Sequence, residues 1–258
     1  MTGPDRIVPL PQPDWAYFFD LDGTLLDIAP SPDEARIDER VRRLVAELYA
    51  RTGGAVVLIS GRSIADIDRL LSGSELPVAG QHGLERRDHS GTHWKLDLPT
   101  TALESARDRI AVAVEQHPGL LLEYKGLSLA LHYRAAPELA EFARDLVNSV
   151  RTELGPDYGV QEGKAVIELK VGGRDKGAAV LEFLRDDRFT GRRPVFVGDD
   201  TTDEYAFAVV NGLDGVSIKV GPGATAARWQ LADVAAVRQW LEEGLRIFPE
   251  ASRSGGAA

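Results

Sequence analysis

Five short, mainly apolar runs occupy residues 15–20 (WAYFFD), 55–60 (AVVLIS), 77–80 (PVAG), 194–199 (PVFVGD) and 215–220 (GVSIKV). They are rich in Val, Ile and Phe, do not alternate with polar residues, and mostly stop on a small or acidic one. Such runs suit strands buried on both faces, the condition found in parallel sheets. Between them lie segments with helical spacing. Val41, Leu44, Val45 and Leu48 recur at i, i+3, i+4 and i+7, behind a Ser-Pro-Asp-Glu start at 31–34. Ile64, Ile67 and Leu71 repeat the pattern, as do Val234, Val237, Leu241 and Leu245. Strand–helix alternation of this kind predicts an α/β, doubly wound parallel sheet.

The middle of the chain has a different grammar. In LSLALHYR (127–134), Leu127, Leu129, Leu131 and Tyr133 fall on one face, and Ser128, Ala130, His132 and Arg134 on the other. In AVIELK (165–170), Ile167 and Leu169 oppose Val166, Glu168 and Lys170. One-sided strands mean an antiparallel sheet. Two helical stripes accompany them: Leu103, Ala106, Ile110, Val114, and Leu139, Phe142, Leu146, Val150. The expected organisation is a core from residues 1–84 and 171–258, with an inserted α+β module at 85–170.

Composition narrows the function classes. A net charge of −10 speaks against a nucleic-acid surface, which needs clustered Lys and Arg. The absence of cysteine removes disulfides, thiolate metal sites and a cysteine nucleophile. No apolar stretch reaches membrane-spanning length. The opening MTGPDRIVPLPQPDW, with Pro at four positions and no apolar signal core, reads as a loose leader, and the closing SRSGGAA as disordered. The expectation is a cytoplasmic monomer acting on a small molecule, with no nucleic-acid or membrane partner.

Four motifs stand at the ends of the parallel-type strands or beside them: Asp20-Leu-Asp22-Gly-Thr, Ser60-Gly61-Arg62, Lys176 in RDKG, and Gly-Asp199-Asp200-Thr-Thr-Asp203. Open α/β sheets build their sites at the carboxyl ends of strands, so distant segments can converge there. Gathered carboxylates repel, and at least one stays protonated unless a cation lies among them. Oxygen ligands without His or Cys favour a hard cation, Mg²⁺, which keeps positions open for water and phosphate. Ser60 and the Gly61 backbone suit phosphate oxygens, and Lys176 supplies a positive charge. Asp20 then serves as nucleophile, through an aspartyl-phosphate, and Asp22 as acid and base. Singly, each motif has a plainer explanation as a turn or helix start; together and in this order they point to phosphoryl transfer.

The set resembles the haloacid-dehalogenase-like (HAD) superfamily of aspartate-nucleophile phosphatases. That resemblance implies a Rossmann-like core with an inserted cap. It places Asp20, Asp22 and Asp199 on the metal, Asp22 through its backbone carbonyl, with Asp200 and Asp203 behind them. GQHGLE (80–85), EYKGLSLALHYR (123–134), EGKAVIELK (162–170) and GDDTTDEYAF (198–207) are similar to the trehalose-6-phosphate phosphatase family in particular. Carried over by position, Lys125, His132, Arg134 and Glu168 of the cap would read the sugar hydroxyls. The pleat agrees for His132 and Arg134, whose plainer alternative is a surface ladder of charged pairs. Two positions depart from the family pattern, Val171 and Asp175. His82 is left between a turn residue and a site residue, and Glu85 is unassigned. Other readings are a phosphatase for sucrose phosphate or mannosyl-phosphoglycerate, a phospho-aspartate receiver, and a silent sugar-phosphate binder. A receiver has no use for Asp22 or for so long an insertion.

Overall fold

The strand that ends on Asp20 is the centre of the molecule. The computed structural model describes residues 7–72, 76–97 and 101–249. Trp15–Phe19 forms β1, buried along its whole length. Its side chains alternate between two cores: Trp15, Tyr17 and Phe19 enter one, and Ala16 and Phe18 enter the other. At roughly 1.5–3 kcal/mol for each large apolar side chain, this run outweighs the several kcal/mol that an ion buried at its end costs.

The first part of the chain continues with α1 (Glu39–Arg51), β2 (Val56–Ile59), α2 (Ile64–Leu70), β3 (Val78–Gly80), β4 (Glu85–Arg87) and β5 (His93–Lys95). Then come α3 (Thr101–Glu115), β6 (Leu121–Tyr124), β7 (Ser128–His132), α4 (Ala140–Leu154), β8 (Tyr158–Gly163) and β9 (Val166–Val171). The remainder supplies α5 (Lys176–Phe183), β10 (Arg193–Gly198), α6 (Glu204–Gly212), β11 (Val216–Val220), β12 (Trp229–Leu231) and α7 (Val234–Ile247). Eight strands form one sheet in the order β12-β11-β10-β1-β2-β3-β4-β5, parallel from β12 to β3 and antiparallel beyond. Side chains of α1, α2 and α7 pack on one face of the sheet, and those of α5 and α6 on the other, giving the doubly wound layer.

The second sheet is antiparallel, β6-β7-β9-β8. Leu129, Leu131, Ile167 and Leu169 turn one face onto α3 and α4, in a cluster of their own. The stripe of α4 is centred on Ala143, Val147 and Val150, with Leu139, Phe142 and Leu146 partly buried at its flank.

Several expectations change. Residue 85, expected to open the inserted module, lies inside the eight-stranded sheet, because β4 pairs onto β3 and β5 onto β4. The antiparallel pairing explains why these segments lack the uniform apolar character of their parallel neighbours. The SPDE segment closes a single 3-10 turn, Pro32–Glu34, and α1 starts later, capped by Asp38. The opening segment is not loose over its described part. Pro9 accepts a hydrogen bond from the Trp240 indole (2.9 Å), and Gln12 exchanges two with the Tyr17 hydroxyl (2.7 Å each). The closing SRSGGAA lies outside the described residues.

Candidate active site

β1 and β10 are neighbours, and the residues that follow each of them meet. Asp20 donates its backbone N–H to Val197 (3.0 Å), and the chain then turns back sharply, with Leu21 O accepting from Thr24, Leu25 and Leu26. The turn needs Gly23 twice over. Its φ of +86° is left-handed, and a Cβ there would collide with the Asp199 carboxylate. Asp199 therefore sits directly against the DLDGT turn, where Thr24 Oγ1 approaches its Oδ1 (3.4 Å).

Lys176 opens α5, whose cap is the Asp175 side chain accepting from Ala178 N–H (2.8 Å). That commitment answers the departure at Asp175: its charge serves the helix start. Lys176 Nζ donates to Asp20 Oδ1 (2.7 Å) and Asp203 Oδ1 (2.6 Å), and all three residues are buried. Asp203 Oδ2 accepts from the backbone N–H groups of Asp199 and Asp200 (2.8 Å each). Asp200 is a helix-capping residue, bonded to Thr201 N–H (2.7 Å) and Lys164 N–H (3.3 Å).

The electrostatics follow from this crowding. Burial pushes the Asp20 carboxyl well above its usual range. Lys176 opposes that shift, and Asp203 and Asp199 reinforce it. Asp199 is raised by burial too, against the pull of Lys164. For Lys176, burial works against the charge, but the neighbouring carboxylates outweigh it and raise the pKa above the ordinary lysine value. Asp20, Asp199 and Asp203 each place a carboxylate oxygen within 4.8 Å of the others. Asp203 is committed to Lys176 and two amides, which leaves Asp20, shared with Lys176, and Asp199, shared with Lys164, as the candidate metal ligands. Buried and oxygen-only, with three carboxylates against the two lysines Lys176 and Lys164, the set fits a hard divalent cation.

Above these residues lies a cleft of about 170 Å³, closed on its far side by the inserted module. Ser60 follows β2 on the floor, its Oγ accepting from Arg62 N–H (3.1 Å). Lys125 reaches down from the module, donating to Gly61 O (2.8 Å). His132 pairs with Glu123 (2.9 Å), and Arg134 donates to Lys164 O (2.8 Å). Glu168 is buried, with Ser128 Oγ at 2.6 Å, His82 Nε2 at 2.7 Å and Lys125 Nζ at 3.4 Å. Burial opposes its charge, but Lys125 and His82 hold its carboxyl well below the usual range.

The trehalose-phosphatase family model matches residues 18–235. The chain belongs to the trehalose-phosphatase family. It is 42% identical over 242 residues to the trehalose-6-phosphate phosphatase of Escherichia coli, covering 94% of this chain and 91% of that one. A probable trehalose-phosphate phosphatase of Sinorhizobium fredii is 39% identical over 208 residues, 81% of this chain and 78% of its own. Among solved structures, the C-terminal domain of C. albicans trehalose-6-phosphate phosphatase superposes with a TM-score of 0.81 at 23% identity, covering 90% of this chain and 91% of that one. The fold is the HAD-like α/β core with a cap.

In this family member the structure brings Asp20, Asp22, Ser60, Gly61, Lys176 and Asp199 to one cleft, with Lys125, His132, Arg134 and Glu168 facing them. The two residues left open part company. His82 lines the cleft, in a left-handed conformation (φ 56°) beside Glu168, while Glu85 lies behind it, accepting from Ile64 N–H (2.9 Å) and Gln81 Nε2 (3.0 Å). Lys164 was missed: it sits at the tip of the β8–β9 hairpin and forms an ion pair with Asp199. Glu123 was missed as well, although the β6–β7 register sets it diagonally across from His132. Lys219, which donates to Asp199 O (2.5 Å), left no signal beyond a lysine at the end of an apolar strand.

His82 gives a testable pH dependence. Burial lowers its pKa from 6.5 to about 4, against the pull of Glu168. The unfolded chain takes up this proton below about pH 6.5 and the folded chain refuses it until about pH 4. The stability is present above this window and is lost as pH falls through it, at most roughly 3 kcal/mol at 1.36 per unit. Thermal melting between pH 7 and 4 should slope less for His82→Asn than for the native chain, and equal slopes would refute the assignment.

Proposed function

We propose that the protein is a Mg²⁺-dependent phosphatase that hydrolyses trehalose 6-phosphate to trehalose and phosphate. The observation that carries this reading is the placement of Asp20. It is a buried carboxylate at a strand end, held by Lys176 against Asp199, under a polar cleft, in a chain aligned almost throughout with a trehalose-6-phosphate phosphatase. Asp20 attacks phosphorus while the bond to the sugar oxygen breaks, and Asp22 gives that oxygen its proton. Water then attacks the aspartyl-phosphate, passes a proton to Asp22, and frees Asp20 and phosphate. Ser60, the Gly61 backbone and Lys176 hold the phosphoryl oxygens. Asp20, Asp199 and the Asp22 carbonyl would hold the cation, which neutralises charge on the phosphoryl group; Asp200 and Asp203 brace them.

The cap in this reading is residues 101–171, joined to the core around β5 and before α5. Lys125, His132 and Arg134 read the sugar. Glu168 acts there mainly through Lys125 and His82, because its carboxylate is already bonded to protein. A cleft of about 170 Å³ is small beside the roughly 300–1,000 Å³ of usual ligand pockets, so substrate entry requires the cap to swing out. No helix among the described residues is long and apolar enough to cross a membrane.

Phosphate release from a panel of trehalose 6-phosphate, sucrose phosphate, mannosyl-phosphoglycerate and glucose 6-phosphate tests the substrate. Trehalose 6-phosphate should lead in kcat/KM by about 100-fold, equivalent to nearly 3 kcal/mol of transition-state preference. EDTA should remove the activity and Mg²⁺ restore it. A better substrate elsewhere in the panel overturns the assignment, and full activity in EDTA overturns the metal.

A further inference from the structure

The chemistry above assigns nothing to Arg62, yet this residue joins its parts. Arg62 is buried, 9% exposed. Its backbone N–H donates to Ser60 Oγ (3.1 Å), and its carbonyl accepts from Gln81 N–H (2.8 Å). Its guanidinium grips Asp22 as a parallel fork, Nε to Oδ2 and Nη2 to Oδ1, both at 2.7 Å. A bidentate arginine fixes the plane of a carboxylate as well as its distance, which a lysine cannot do. Asp22 needs such a hold. Its side chain is 32% exposed on a turn, against 6% for Asp20, and a misplacement of about 1 Å in a reacting group costs on the order of 100-fold.

We infer that Arg62 is the positioning residue of Asp22, holding its carboxylate where it takes the proton of the attacking water. The inference rests on the roles proposed for Asp20 and Asp22. In the step concerned, water oxygen bonds to phosphorus, the bond from phosphorus to the Asp20 oxygen breaks, and the water proton moves to Asp22. The products are inorganic phosphate and a free Asp20 carboxylate. Without the fork, formation of the aspartyl-phosphate from a substrate whose leaving group needs no proton should survive, while its hydrolysis should stall.

The test is rapid mixing of the full chain and Mg²⁺ with p-nitrophenyl phosphate, following nitrophenolate release. Arg62→Met should show a first turnover within about threefold of the native rate, then a steady state slowed on the order of 100-fold. Its burst should approach one nitrophenolate per chain. Asp22→Asn should give the same burst, and the double variant should be no slower than Asp22→Asn alone, because the two residues act as a unit. Arg62→Lys, which keeps the charge and loses the fork, should recover only part of the rate and carries the test if the methionine variant does not fold. Equal slowing of burst and steady state in the Arg62 variants makes Arg62 a structural residue and overturns the inference. A burst in Asp22→Asn without one in the Arg62 variants also overturns it and leaves the Asp22 base intact. No burst in Asp22→Asn overturns the base itself, and the inference with it.

Discussion

Asp20→Asn should abolish phosphate release, lowering turnover by about 10⁵-fold or more, because it removes the proposed nucleophile. The protein should remain folded. Asp20 is buried at the end of β1, and its charge is disfavoured there by desolvation and by Asp203 and Asp199. A neutral amide of the same shape relieves that, while Lys176 keeps its bond to Asp203 (2.6 Å). Melting temperature and phosphate release measured on one preparation separate the two effects. A variant that retains turnover within tenfold of the native chain would remove Asp20 from the nucleophile role.

Lys176→Met is the second large expectation, and it should affect stability as well as rate. Its ammonium is the one cation bonded to both Asp20 and Asp203 among the described residues. Deleting it leaves buried carboxylates without their counter-ion, which costs on the order of 3–5 kcal/mol. In a chain of this size that corresponds to a fall of roughly 10 °C in melting temperature. Turnover should drop by at least about 100-fold, since the charge proposed to hold the phosphoryl oxygens is lost with it. The companion Lys176→Met/Asp203→Asn should regain part of the melting temperature and none of the rate. If the single variant melts with the native chain, Lys176 is not the counter-ion of this cluster.

The acid cluster was legible because it hangs on strands with an unmistakable signature. WAYFF, VVLI and PVFVG are apolar throughout and are fully buried in the parallel part of the sheet. The motifs that follow them had to converge once that sheet was assumed. The polar face of β7 was legible for the same kind of reason, from strict alternation. The rest depended on pairings that composition does not encode. HWK is too short and too polar to declare itself, and joins the sheet only because β4 offers it an edge. Arg62 stood inside a quoted motif, but its partner Asp22 is 40 residues away. Lys164 carried a faint signal, a lone cation in the Gly-Lys-Ala turn between two strands, and its contact with Asp199 is set by how the two modules meet. Glu168 was expected to face the sugar, and only the folded chain shows Ser128, Lys125 and His82 already bonded to it.

The three apolar clusters share no residue, and the one inside the cap draws only on the segment between Leu103 and Leu169. Across the seam run polar threads instead: Lys125 to Gly61, His82 to Glu168, Gln81 to Ser128, Lys164 to Asp199, Thr201 to Glu162. Parting the two halves thus bares little oily surface, and water can take over most of what is broken. Dissolved salt weakens the charged threads without touching either interior. Cap opening of the kind proposed would thus leave both interiors packed.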